Sequence, residues 1–268
     1  MGSVTVLVLV LIGVLTGLTT VLFGFGGGFV TVPVIVWVDA SLGPMAGTVA
    51  VATSAVVMVA NAAVATAATP RPILARLGDR RTLLVLLAIG GFLGSVAALV
   101  VPAGVSSWGF AIYVAITIID TLARPGFLRP ATTVRDPARR AIPTGLGAPI
   151  GAVASFLGVG GSVMTVPLLR RAGLPMGHAA TLANPLTLAI SIPAAAVFLL
   201  ARHTTNLQGA VFAVGIVDIG AAAFLFLGAI PVIVVLRRRP PRIPDRVHAS
   251  AYIGLLCLVL VAMIMPLL

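Results

Sequence analysis

A chain of 268 residues that is 60% hydrophobic and 9% charged, with mean hydropathy +1.19, is excluded from the ordinary soluble domains, in which about a quarter of residues are charged. The net charge of +11 and pI of 11.8 invite a nucleic-acid reading, but the placement of the charge argues against it. All seventeen basic residues are Arg, and fourteen lie in three clusters between apolar runs: Arg71, Arg76, Arg80 and Arg81; Arg124, Arg129, Arg135, Arg139 and Arg140; Arg237, Arg238, Arg239, Arg242 and Arg246. Such clusters fit cytoplasmic loops under the positive-inside rule, with anionic lipid headgroups as partners.

The first apolar run, 3–23, is long enough to cross a bilayer at about 20 residues per span. It has no basic n-region and no A-x-A-like cleavage site before the glycines, so it reads as a retained membrane segment rather than a signal peptide. It ends in GFGGGFVTVP, residues 24–33. Further apolar runs follow at 47–68, 82–101 and about 108–123, with the short turn VPAGVSS between the last two. After the polar linker 124–141 comes a broken segment, 142–169, containing GVGGSVMTVP at 158–167, the first motif repeated 134 positions later. Runs at 179–201, 208–236 and 249–267 complete the chain. A closed β-barrel would instead show short alternating segments with aromatic girdles, and there are only two Trp and two Tyr.

With the three Arg clusters cytoplasmic, counting crossings makes 142–169 a hairpin that enters and leaves on the cytoplasmic side, in agreement with Arg170 and Arg171 just beyond it. The same count makes 3–38 a hairpin entered from outside, compatible with Asp39 and with the absence of Arg before residue 71. The expected fold is therefore an all-α polytopic membrane protein with an inverted repeat, each half a Gly-tipped hairpin plus three transmembrane helices. The halves are 1–123 and 142–268, and PMAGTVAVATS (44–54) aligns with PMGHAATLANP (175–185). Secondary transporters use this architecture, with sites near the midplane.

Clustered glycines let a chain turn sharply, and irregular backbone at membrane depth is tolerated where protein buries it or it lines a wet cavity. The helix that starts after such a turn has unpaired N–H groups and a positive dipole end, which suits an anion. Gly24, Gly26, Gly27 and Gly28, and Gly158, Gly160 and Gly161, are the expected site, joined by Thr31, Ser162 and Thr165. Pro33 and Pro167 free further backbone groups. Isolated glycines such as Gly94 and Gly151 read instead as close helix packing.

Helical spacing puts Ser54 and Asn61 on one face of 47–68, and Asn184, Thr187 and Ser191 on one face of 179–201. Thr53, Ser54 and Asn184 join the expected substrate-binding set; Asn61 and Ser191 read equally well as interhelical hydrogen-bonding residues. Asp218, deep in an apolar run, is a proton-coupling candidate whose alternative is a hydrogen-bonded structural acid. Asp120 is expected to pair with Arg124. His178 reads as starting a helix at the cytoplasmic side, and His203 and His248 as loop or interface residues. Cys257, alone, excludes an intramolecular disulfide and a Cys-based metal site. No metal site, no cofactor, no catalytic residue and no Walker A motif are read from the chain.

The paired GxGGGxxxVP and GxGGxxxxVP motifs, each followed by a helix rich in small residues and Thr or Ser, resemble the TauE/SafE sulfite exporter (TSUP) family along nearly the whole chain. That resemblance implies movement of sulfur-containing anions such as sulfite or sulfonates across the bacterial inner membrane. Gly24, Gly26, Gly27, Gly28 and Pro33 match the first motif; Gly158, Gly160, Gly161 and Pro167 match the second, where Ser162 replaces a glycine. The expected function is a secondary transporter, an exporter, alternating access around the two tips. An anion channel and a carrier for another small anion such as a carboxylate are the alternatives. A small anionic substrate and membrane lipids are the expected partners, nucleic acid is not, and a homodimer is left open.

Overall fold

A computed structural model describes residues 3–38, 43, 45–77, 80–128, 142–201 and 212–265. Asp39, His203 and Arg129, Arg135, Arg139 and Arg140 lie outside the described residues. The protein is an all-α membrane protein. The helices are α1 (Ser3–Phe23), α2 (Gly28–Val38), α3 (Ala46–Ala67), the short α4 (Arg71–Leu74), α5 (Arg81–Val100) and α6 (Ala103–Ala123). After the linker come α7 (Gly147–Leu157), α8 (Ser162–Arg171), α9 (Met176–Leu200), α10 (Ile219–Arg238) and α11 (Asp245–Ile264). Among the described residues seven helices are long and apolar enough to cross a membrane: α1, α3, α5, α6, α9, α10 and α11. The α2, α7 and α8 helices, of 11, 11 and 10 residues, rise only about 15 Å, half the hydrocarbon thickness.

Helix boundaries follow local chemistry. Pro70, Pro102, Pro175 and Pro244 stand immediately before α4, α6, α9 and α11, where a fixed φ and a missing N–H stop anything upstream from continuing. Pro102 accounts for α6 starting at Ala103 rather than near 108, which shrinks the expected turn to two residues. The expected span 208–236 also shifts. Residues Ala213–Val214 (β1) and Val217–Asp218 (β2) pair as a small antiparallel ribbon turning at Gly215, φ +61°, and the helix begins only at Ile219. The other spans match the expected bounds within a few residues.

The packing exchanges elements between the two halves of the sequence. The α1 helix packs most extensively on α10, α7 on α5, and α3 on α9. Small residues allow this: a methyl at Gly13 would strike the Leu225 carbonyl, and one at Gly17 would lie 2.7 Å from the Ala229 carbonyl. In the other half a methyl at Gly147 would lie 3.2 Å from the Leu83 carbonyl, and one at Gly151 would strike that of Leu87. Both sets of glycines are 134 positions apart (13 and 147, 17 and 151), and both sets of partners 142 apart (83 and 225, 87 and 229). Gly94 is likewise pressed on Ala152. The isolated glycines thus do the packing work expected of them.

A polar pair recurs with the same offsets. Trp37 Nε1 donates to the Ala262 carbonyl at 3.1 Å, and Arg171 Nη2 donates to the Asp120 carbonyl at 2.9 Å. The described Arg residues of all three clusters gather at one end of the bundle. Asp120 pairs with both Arg124 (2.9 Å) and Arg171 (2.6 Å), as its sequence position beside Arg124 suggested. Arg76 Nη1 lies 3.2 Å from His178 Nδ1, Arg80 donates to the Ile142 carbonyl, and Arg237 to Thr181. Fully buried Arg170 pairs with Asp245, whose other oxygen accepts from Met176 N.

Candidate functional site

The two glycine turns meet. Gly24, Gly26 and Gly27 have φ of +76°, +63° and +90°, and Gly158 and Gly160 both have +69°; this is left-handed backbone that other residues adopt only with strain. Gly158 caps α7, with Val159 N donating to Ala154 O at 3.0 Å and Gly158 N to Ser155 O at 3.2 Å, a Schellman-type ending. Gly28 and Gly161 do not need left-handed backbone. They need room: a methyl at Gly28 would collide with Met58 Sδ and lie 2.8 Å from the Gly158 carbonyl of the opposite tip, while one at Gly161 would strike Ile190. A methyl at Gly160 would stand 3.3 Å from the Phe25 carbonyl.

Met58 of α3 and Thr187 of α9 lie against both turns. A methyl at Gly26 would be 2.9 Å from Thr187 and 3.4 Å from Met58; at Gly160 the distances are 3.1 and 2.9 Å. Ser54 Oγ reaches across to the Gly158 carbonyl (3.1 Å) and back to Val51 O (2.7 Å). Gly24 presses on Ala180 and Ala183 of α9, and Asn61 Nδ2 would lie 2.6 Å from a methyl at Gly27. The α8 helix starts at Ser162 without a side-chain cap, so its first N–H groups and dipole end face the tip region.

The polar atoms here are unusual. Asn61 Nδ2 and Oδ1, Ser155 Oγ, Ser162 Oγ, Thr165 Oγ1, Thr187 Oγ1 and Asn184 Oδ1 are buried with no hydrogen-bond partner. Asn61, Ser162, Thr165, Asn184 and Thr187 are all 0% exposed. Buried side-chain polar atoms are mostly paired, and each orphan costs about 1–3 kcal/mol. Such a concentration leaves several buried donors and acceptors open in one region of the fold.

The remaining expected residues are satisfied within the fold. Thr31 Oγ1 donates to Gly27 O at 2.9 Å, unlike its counterpart Thr165. Thr53 Oγ1 accepts from Asp218 N at 3.0 Å, and Asp218 Oδ1 accepts from Ala221 N at 2.9 Å, capping α10. Asp218 thus ends β2 and caps α10, hydrogen bonds that suit the structural acid read as the alternative to proton coupling. Among the described residues no three His, Cys, Asp or Glu side chains come together as a metal site.

Sequence reasoning missed the brace behind the first tip. Tyr252 of α11 packs on Phe23 and Phe25 (centroids 5.9 and 5.2 Å), Phe25 on Phe29 (4.8 Å), and Phe29 on Phe110 (5.7 Å). His248, read from the sequence as a loop or interface residue, lies inside α11 and donates from Nε2 to the Leu22 carbonyl at 2.6 Å. That carbonyl is in the last turn of α1, where helical partners run out. No sequence signal separates these aromatics from ordinary core.

The family model for the sulfite exporter TauE/SafE matches residues 9–263. The chain belongs to the TauE/SafE family. No curated protein and no solved structure matches it. The match runs through both glycine turns and every helix from α1 to α11, and it makes the protein a multi-pass membrane exporter by family.

Proposed function

We propose that the protein is a secondary carrier that exports sulfur-containing oxyanions such as sulfite or sulfonates, alternating access around the two glycine tips. The observation that carries this reading is the cluster of buried, unpartnered amide and hydroxyl groups where the tips meet. Neutral N–H and O–H donors with helix dipoles can hold an oxyanion without binding it too tightly to release. Full burial of the site in this conformation suits an occluded state between two openings.

Alternation needs halves that can exchange roles, and we propose an inverted repeat. The recurring contacts support it. The α6 helix carries Asp120 in its last turn, at the Arg-rich end, whereas α11 begins there with Asp245 and carries Ala262 at its far end. The matching pairs Arg171–Asp120 and Trp37–Ala262 therefore lie at opposite ends of the bundle. The positive-inside rule would make the Arg-rich end cytoplasmic, in the inner membrane of a bacterium. No enzymatic role is proposed, because Ser162 Oγ bonds to no base.

Exchange of radiolabelled sulfite in proteoliposomes tests the reading, with unlabelled sulfate, sulfonates and a carboxylate as competitors, beside a folded Asn61→Leu/Thr187→Val variant. Saturable exchange that the variant loses supports it. Unsaturable flux would favour a channel, competition by the carboxylate alone would change the substrate class, and full exchange by the variant would move the site.

A further inference from the structure

A second polar site lies between the tips and the Arg-rich end. A cavity of about 280 Å³ is lined by Leu22, His178, Thr181, Arg237 and His248 among others. Arg237 Nη1 donates to Thr181 Oγ1 at 2.7 Å, while its Nε and Nη2 are buried without a partner. A guanidinium held out of water with most of its donors unused is costly unless a counter-charge arrives, and here the cavity it borders gives that charge a place. His178 presents Nδ1 to Arg76, which leaves its Nε2 face for a ligand. Two of its lining residues are sequence neighbours of the first tip's contacts: Leu22 is two residues from Gly24, and Thr181 follows Ala180, the residue on which Gly24 presses.

The other half of the chain supplies an internal comparison. With the offsets set by the packing contacts, Arg237 corresponds to Ser95, and Leu22 to Phe156. The groove there, lined by Leu93, Gly94, Ala97, Ala152, Val153 and Phe156, has no charged side chain, and Ser95 Oγ simply donates to Phe92 O at 2.8 Å. We infer that the Arg237 cavity is an entry site for a small oxyanion, built at the Arg-rich mouth only, which captures substrate from that side and hands it to the glycine tips. The inference rests on the carrier reading for its last step and not for the binding itself.

The test is binding of sulfite, sulfate and inorganic phosphate to purified protein in lipid-free detergent, read as thermal stabilisation. It is run on wild type, Arg237→Gln, Arg237→Lys and Asn61→Leu/Thr187→Val. Stabilisation should weaken about tenfold or more in apparent affinity for Arg237→Gln, fall less for Arg237→Lys, which keeps the charge but not the planar fork, and survive in the tip variant. If the tip variant also transports, the placement of the carrier site at the tips fails while the entry site stands. Equal binding by Arg237→Gln, or no oxyanion binding by wild type, overturns the entry site. So does stabilisation seen only with phosphatidylglycerol in nanodiscs, which would make the cavity a lipid headgroup site. In everted and right-side-out vesicles, Arg237→Gln should raise KM from the Arg-rich side alone; an equal rise from both sides overturns the one-sided assignment.

Discussion

Tyr252 Oη donates to the Val163 carbonyl at 3.2 Å, and Val163 is the residue that Pro167, four positions on in α8, leaves without its helical donor. The proline of the second motif thus opens a backbone acceptor, and a tyrosine that packs on Phe23 and Phe25 of the first tip fills it. One side chain ties both tips together. Tyr252→Phe should keep the rings packed but orphan the carbonyl, lowering stability by about 1–2 kcal/mol. Tyr252→Leu should cost roughly 3 kcal/mol or more as the ring contacts are also lost. Thermal unfolding in detergent reads both: no loss in Tyr252→Phe would show that the hydroxyl contributes nothing, and equal losses in the two variants that the ring contacts contribute nothing.

Gly27 and Gly43 separate strain from crowding. Both have positive φ, +90° and +55°, but Gly27 faces Asn61 whereas Gly43 has nothing within 4 Å. Alanine at Gly43 should cost only the left-handed backbone penalty, about 1–2 kcal/mol, and leave anion exchange intact. Alanine at Gly27 should cost more and abolish exchange, since the methyl must displace the Asn61 amide. Exchange retained by folded Gly27→Ala would remove this turn from the site.

Thr187→Val and Asn61→Leu should move stability and function in opposite directions. Each deletes buried polar atoms that have no partner, so the ligand-free protein should be unchanged or more stable by about 1 kcal/mol. Exchange should fall at least tenfold. A structural role for these groups would instead lower the melting temperature. Paired measurements of melting and exchange on one preparation distinguish the two.

Much of this architecture was legible before any coordinates. Apolar run lengths gave the spans, the 134-residue repeat located both turns, and Asp120 next to Arg124 announced its ion pair. Three features were not. The start of α10 was hidden because the apolar content of 212–218 carries a ribbon as readily as a helix, and only the cap at Asp218 decides. Tyr252 and His248 serve the tip through rings and a carbonyl more than 200 residues away in sequence, a relation no periodicity encodes. Met58 and Thr187 matter because two helices cross where the turns meet. The sequence places them on helix faces but cannot say what lies opposite.

Asp218 offers a clean contrast between capping and proton coupling. Asn caps a helix about as well as Asp, whereas Ala does not, at a cost of about 1 kcal/mol. Asp218→Asn should therefore melt like wild type and keep the pH dependence of exchange, while Asp218→Ala loses stability. A flattened pH profile in well-folded Asp218→Asn would assign it the coupling role instead.

The Arg170–Asp245 pair carries the last prediction. The Arg170 side chain is 0% exposed and that of Asp245 39%. Arg170 also donates to Leu174 O (3.1 Å), and Asp245 Oδ1 accepts from Met176 N (2.8 Å). Removing the carboxylate strands a buried charge and orphans the first N–H of α9 together. Full burial of both partners would set the loss at about 3–5 kcal/mol; water reaching Asp245 reduces it to roughly 2–3 kcal/mol for Asp245→Ala. Asp245→Asn keeps the acceptor for Met176 and loses only the charge, so it should fall between wild type and Asp245→Ala. Chemical or thermal unfolding of the three proteins measures the order. If Asn is as damaging as Ala, the charge on Arg170 dominates; if Asn is harmless, the α9 contact does, and the buried guanidinium is held by Leu174 alone.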